Sequence, residues 1–183
     1  MITIADKKRA QAAAVELIAA TDFNLRDDER GRVEVADFGL SNLAAEGAQI
    51  LTLVQTDRLA VKLIALTPWQ ALPEHLHPRV GDDPGKEETV RHISGDLLVY
   101  VDGPPTMTHG RVPPGKDRVY TMRHELVLAP GDQRTFTPGE RHWFQAGERG
   151  AVAFSFSTTA RDVLDQFTDP DVQRVTVVAG EDA

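Results

Sequence analysis

The chain has 183 residues, 41% of them hydrophobic, with no cysteine and a formal net charge of −8. This length supports one domain with a good core, and the acidic balance without a long basic run excludes a phosphate-backbone partner such as nucleic acid. Lack of cysteine excludes disulfides, thiolate metal sites and a cysteine nucleophile, so any metal must be held by imidazole and carboxylate; the composition fits a cytoplasmic protein.

No stretch approaches the roughly eighteen apolar residues that a membrane-spanning helix needs. Lys7-Lys8-Arg9 before an alanine-rich run has the outline of a signal peptide, but Gln11 and Glu16 interrupt it. Ala10, Ala13, Ala14, Leu17 and Ile18 recur at helical spacing instead. They predict an amphipathic helix of about fourteen residues with Asp6 as N-cap. Asp27 to Arg32 reads as a charged turn, and Val33 to Phe38 opens an irregular segment.

From Ile50 the texture becomes that of strands. Ile50 to Val54 and Leu59 to Leu66 are β-rich runs broken at Thr56-Asp57 and Thr67-Pro68, as in an antiparallel meander. Further strands are predicted at Glu88 to Gly95, Leu97 to Val101, Arg118 to Met122, Glu125 to Leu128, Arg134 to Phe136 and Ala151 to Ser157. Short strands in such a series imply a sandwich or barrel. Pro78 to Lys86 and Asp102 to Lys116 are too long and too rich in Pro and Gly to be hairpin turns. Long loops on a rigid barrel commonly carry function, and the first is expected to cover the mouth of a site.

That site is marked by His75 and His77, then Glu88, then His142. Residues two apart on an extended strand point to one face, which is what a chelate needs. Glu88 heads a strand-like stretch closed by Gly95, and His142 follows a Pro138-Gly139 turn. Three neutral imidazoles and one carboxylate leave a divalent ion with net positive charge and open coordination positions. Such an ion can polarise a carbonyl and stabilise enediolate charge as a proton moves between adjacent carbons. Manganese, iron, cobalt, nickel and zinc all suit the donors. His92, His109 and His124 match no part of this pattern.

The two halves resemble the paired motifs of the cupin superfamily. A longer series is similar to the D-lyxose isomerase (D-lyxose ketol-isomerase) family: Asp37-Phe-Gly-Leu40, Pro73-Glu-His-Leu-His-Pro78, Pro84-Gly-Lys-Glu-Glu-Thr89, His142-Trp-Phe-Gln-Ala-Gly147, Phe156-Ser-Thr-Thr159 and Phe167-Thr-Asp-Pro170. This covers about residues 35 to 175. The resemblance implies an all-β cupin fold, a double-stranded β-helix or jelly-roll barrel with an N-terminal α-helix. Residues 1–45 would form a helix and arm packed on the barrel, 46–160 the barrel and 161–183 an extension. It also implies a homodimer using manganese, held by His75, His77, Glu88 and His142, to interconvert an aldose and a ketose. The reaction would be of the D-lyxose/D-xylulose or D-mannose/D-fructose type, by enediol proton transfer.

Three positions depart from the family pattern. Ser155 and Val163 stand where the family carries glutamates, and Ser94 where it carries tryptophan, which suggests a roomier and less charged cavity. The acid/base must then come from elsewhere: Lys62, mid-strand among apolar residues, or Glu125. Lys86, Trp143, Gln145, Ser155 and Asp162 are the candidate substrate contacts, an aromatic face such as that of Trp143 suiting a sugar ring. No dense basic cluster marks a phosphate, so the expected substrate is an unphosphorylated sugar. Two other readings remain open from sequence: a cupin epimerase or dioxygenase, and a sugar-binding cupin without turnover because of Ser155.

Overall fold

A computed structural model describes residues 1–180. In chain order the elements are β1 (Ile2–Thr3), α1 (Ile4–Ala19), α2 (Asp27–Arg30), β2 (Glu34–Ala36), β3 (Ala48–Gln55), β4 (Leu59–Leu66), β5 (Ala71–Leu76), β6 (Glu88–Val101), β7 (His124–Leu128), β8 (Gln133–Phe136), β9 (His142–Thr158), β10 (Gln166–Phe167) and β11 (Val178–Ala179), with a 3₁₀ turn at Asp162–Leu164.

The long strands β6 and β9 run antiparallel along almost their whole length and form the spine of a jelly-roll barrel. The C-terminal half of β9 continues into β4, β3 and β2, while its N-terminal half continues into β5 and β10; β7 and β8 flank β6 on its other side. The spine bends where Gly95 (φ 87°) meets Gly150 (φ 69°). A Cβ on Gly95 would lie 2.2 Å from the Gly150 carbonyl oxygen, so this corner requires glycine. Gly95 therefore bends a strand that the sequence suggested it would end.

Alternation along β9 sorts its side chains. His142, Phe144 and Ala146 face the barrel interior, whereas Trp143 packs outside with Tyr100 and Tyr120. The interior is filled by residues such as Ile50, Ile64, Leu66, Val90, Leu97, Val99 and Phe136. On the outer face of β3 and β4, α1 buries Ala14 and Ile18 against Leu51, Leu63, Ala65 and Val152. Burying a side chain the size of Ile18 stabilises by about 2–3 kcal/mol.

Some expectations needed correction. The N-cap of α1 is Thr3, not Asp6, and Asp6 is the third helical residue of a reciprocal capping box with it. Residues 34–36, expected to be irregular, form β2. Arg118 to Met122 is not a strand, because its main-chain N–H groups are taken locally and by a side chain: those of Val119 and Tyr120 bond the Lys116 carbonyl at 3.0 and 3.2 Å, and Glu74 accepts the Met122 N–H at 2.8 Å. Among the described C-terminal residues, β10 pairs with β5 and β11 runs parallel to β1.

Candidate metal centre and sugar cavity

Antiparallel pairing places His75 on β5 directly opposite His142 on β9. A register shift between Leu72 and His75 turns both of these side chains to the interior, and His77 follows His75 on the same face, just beyond the strand end. Glu88 begins β6 next door. The four side chains are buried, and one potential ligand atom from each lies within 4.8 Å of all the others.

Each imidazole has its Nδ1 occupied. His75 Nδ1 lies 2.9 Å from the Pro73 carbonyl, His142 Nδ1 2.9 Å from the Glu140 carbonyl, and His77 Nδ1 2.8 Å from Asp165 Oδ1. Donation from Nδ1 leaves Nε2 of His75 and His142 with its lone pair, the tautomer a metal ligand needs, while His77 Nε2 lies 2.8 Å from Glu88 Oε2. Nε2 of His142 is buried and has no hydrogen-bond partner. Such an orphaned acceptor is costly without a partner, so the donors fit a cation. Burial, and then the nearby His77, push His75 down to about 4; burial and His75 hold His142 well below the usual imidazole range. Both rings are therefore neutral near pH 7. Burial works against charge on His77, but Asp165 and Glu88 outweigh it and raise this residue. Burial likewise opposes the Glu88 carboxylate, and Lys86 and His77 outweigh it, holding Glu88 well below its ordinary range. Phe136 stacks on the His142 ring at 3.9 Å and fixes its plane.

A cavity of about 40 Å³ adjoins these donors, with Lys62, Lys86, Ser155 and Asp162 on its wall. Ser155 donates its hydroxyl to Glu88, and Lys62 to Asp162. Lys86 Nζ lies 3.3 Å from Asp162 and 3.6 Å from Glu88. The wall also holds Phe38, Asp165, Phe167 and Arg174, none of which sequence reading had assigned to the site. Phe38 is buried at φ 53°, a strained conformation for an aromatic residue, and packs 5.5 Å from Phe167. Asp165 is 88 positions from its partner His77, so no local pattern announces it. A larger groove of about 470 Å³ lies elsewhere, between α1 and residues 41–44.

Three expected site residues are placed outside this cavity. Glu125 accepts hydrogen bonds from Tyr100 (2.8 Å), the main-chain N–H groups of Thr108, His109 and Gly110, and the His109 ring. Gln145 accepts from the Arg111 N–H and donates to the Arg111 carbonyl, both at 2.8 Å. Trp143 donates to the Met122 carbonyl and stacks on Tyr100 at 3.8 Å. All three fasten the 102–123 region to the outside of the barrel. The other long loop does reach the mouth: Asp83 pairs with Arg161, and residues 78–86 face the 159–165 segment across a small cleft.

No protein-family model matches the chain. The chain is 47% identical over 176 residues to a D-lyxose ketol-isomerase of Cohnella laeviribosi, covering 96% of this chain and 97% of that one. It is 43% identical to a D-lyxose/D-mannose isomerase of Thermosediminibacter oceani, covering 92% and 93% respectively. The chain belongs to the D-lyxose ketol-isomerase family. Among solved structures, an L-ribose isomerase of Cellulomonas parahominis superposes with a TM-score of 0.81 over 97% of this chain and 98% of that one. Its sequence identity is only 16%, so it shows the fold alone, an all-β cupin-type barrel. Family membership makes this chain an aldose–ketose isomerase.

Proposed function

We propose that this isomerase interconverts D-lyxose with D-xylulose, and D-mannose with D-fructose, in the cavity beside His75, His77, Glu88 and His142. The observation that carries the reading is the convergence of four buried donors, one of them an imidazole nitrogen without a protein partner, in a member of a ketol-isomerase family. A divalent ion bound there supplies positive charge that polarises the sugar carbonyl and stabilises negative charge spread over the two reacting carbons. Manganese is the ion we favour because the resembled family usually uses it; the donors themselves suit iron, cobalt, nickel and zinc as well.

The protein must itself move a proton between neighbouring carbons. Of the carboxylates on the cavity wall, Glu88 belongs to the donor cluster and Asp165 is tied to His77, which leaves Asp162. Burial opposes its charge, but Lys86, Lys62 and Arg174 outweigh it and hold Asp162 well below the usual carboxylate range. When sugar hydroxyls take the Lys62 and Lys86 donors, Asp162 loses those partners and becomes a stronger base. Lys62 and Lys86 then orient the substrate, and Ser155 steadies Glu88. A cytoplasmic location and a homodimer complete the reading. The cysteine-free composition supports the first; the second is supported by β7 and β8, which pair on one side only among the described residues.

The test is conversion of D-lyxose and D-mannose by protein stripped with a chelator and then given Mn²⁺. Activity should vanish and return. Conversion that persisted after verified metal removal would overturn the mechanism, and light scattering checks the dimer.

A further inference from the structure

The three imidazoles of the centre are not held alike. His75 and His142 each give Nδ1 to a main-chain carbonyl two residues earlier, a bond made within one stretch of chain. His77 gives its Nδ1 to Asp165, a side chain that follows the 3₁₀ turn after the last barrel strand. The Asp165 side chain is only 10% exposed, and the imidazole it meets only 1%. Its turn is held by independent contacts: Asp162 with Lys62, Lys86 and Arg174, Arg161 with Asp83, and β10 with β5. A carboxylate on the outer nitrogen fixes the ring orientation and strengthens the inner nitrogen as a donor more than a neutral carbonyl does.

We propose that Asp165 is the positioning residue of His77, and that through it the metal affinity of the centre depends on the C-terminal segment being seated. This rests on the metal centre proposed above. The alternative is an ion pair that merely packs the segment down, and the two differ in what the metal feels.

The experiment is Mn²⁺ binding to the full chain after chelation, for wild type, Asp165→Ala, Asp165→Asn and Asp162→Asn, with thermal melts to confirm folding. Co²⁺ absorption in the visible range reports ligand geometry for each. Asp165→Ala should weaken Mn²⁺ binding about 10–100-fold and change the Co²⁺ spectrum, the effect usual for such outer partners. Asp165→Asn keeps an acceptor for Nδ1–H and should recover part of the loss and most of the spectrum. Asp162→Asn removes the same charge nearby without touching a ligand, and should weaken binding less than either. If folded Asp165→Ala kept both wild-type affinity and the wild-type spectrum, or Asp162→Asn changed the Co²⁺ spectrum as much, Asp165 would not act through His77. Wild-type protein that bound no ion would instead overturn the centre itself, and the role of Asp165 with it.

Discussion

At the scale of single residues, the side-chain alternation of β9 decides which polar groups meet the sugar. His142 faces inward, so Trp143 and Gln145, although in the same motif, face outward. A motif read along the chain does not carry that distinction unless the inward face is already known. Asp162→Asn should lower kcat/KM about 10²–10⁴-fold, the usual worth of a positioned proton-transfer group, with metal content measured to be near that of wild type. Glu125→Gln should leave kcat/KM within about threefold, because its carboxylate lies outside the cavity. A steady-state comparison on D-lyxose checks both, and loss of turnover only in Glu125→Gln would reverse the assignment. His75, His77, Glu88 and His142, the candidate metal donors, were legible in sequence because each sits in a short motif of the resembled family. Asp165 and Arg174 were not, because only folding brings the tail to the barrel mouth.

At the scale of elements, the 106–110 stretch of the long loop gathers its N–H groups on one acid, Glu125. Glu125 is held at about 2, below its ordinary value of 4.5: burial opposes the charge, but the His109 ring and the Gly110 and His109 N–H groups outweigh it. A folded value depressed in this way adds stability that is complete above about pH 4.5 and lost as pH falls towards about 2. Glu125→Gln should therefore melt below wild type at pH 7, by about 2 kcal/mol, and the gap should close over that acid range. Parallel melts of the two proteins from pH 7 to pH 2.5 measure it; a gap independent of pH would show that the charge is not what orders the loop. The helix α1 is a second such element. Ile18→Ala should cost about 2–5 kcal/mol in denaturant unfolding, since Ile18 is wholly buried against β3, β4 and β9. The 161–167 segment and the 78–86 loop form a third. The Asp83–Arg161 pair joins these two segments beside the cavity.

At the scale of the whole molecule, the centre joins β5, β6, β9 and the tail through one set of donors, so an ion there stabilises the entire fold. Saturating Mn²⁺ at about 100 times its dissociation constant should raise stability by about 2.7 kcal/mol, or roughly 5–11 °C in Tm. Calorimetry with chelator and with Mn²⁺ measures the difference. Equal melting temperatures would mean that the folded and unfolded chains bind the ion equally well.

The sequence by itself determined the elements whose pattern is local: the helical repeat of Ala14 and Ile18, the strand run from Leu59 to Leu66, and the His75 and His77 pair, while Glu88 and the distant His142 were legible through the motifs of the resembled family. Periodicity and ligand chemistry act over a few residues, so they can be read without a fold. Only the tertiary structure decided that Gly95 and Gly150 bend one continuous spine, that Glu125, Trp143 and Gln145 anchor a loop, and that Asp165 meets His77 and Arg174 meets Asp162. These depend on contacts between residues tens of positions apart, whose partners are set by barrel closure.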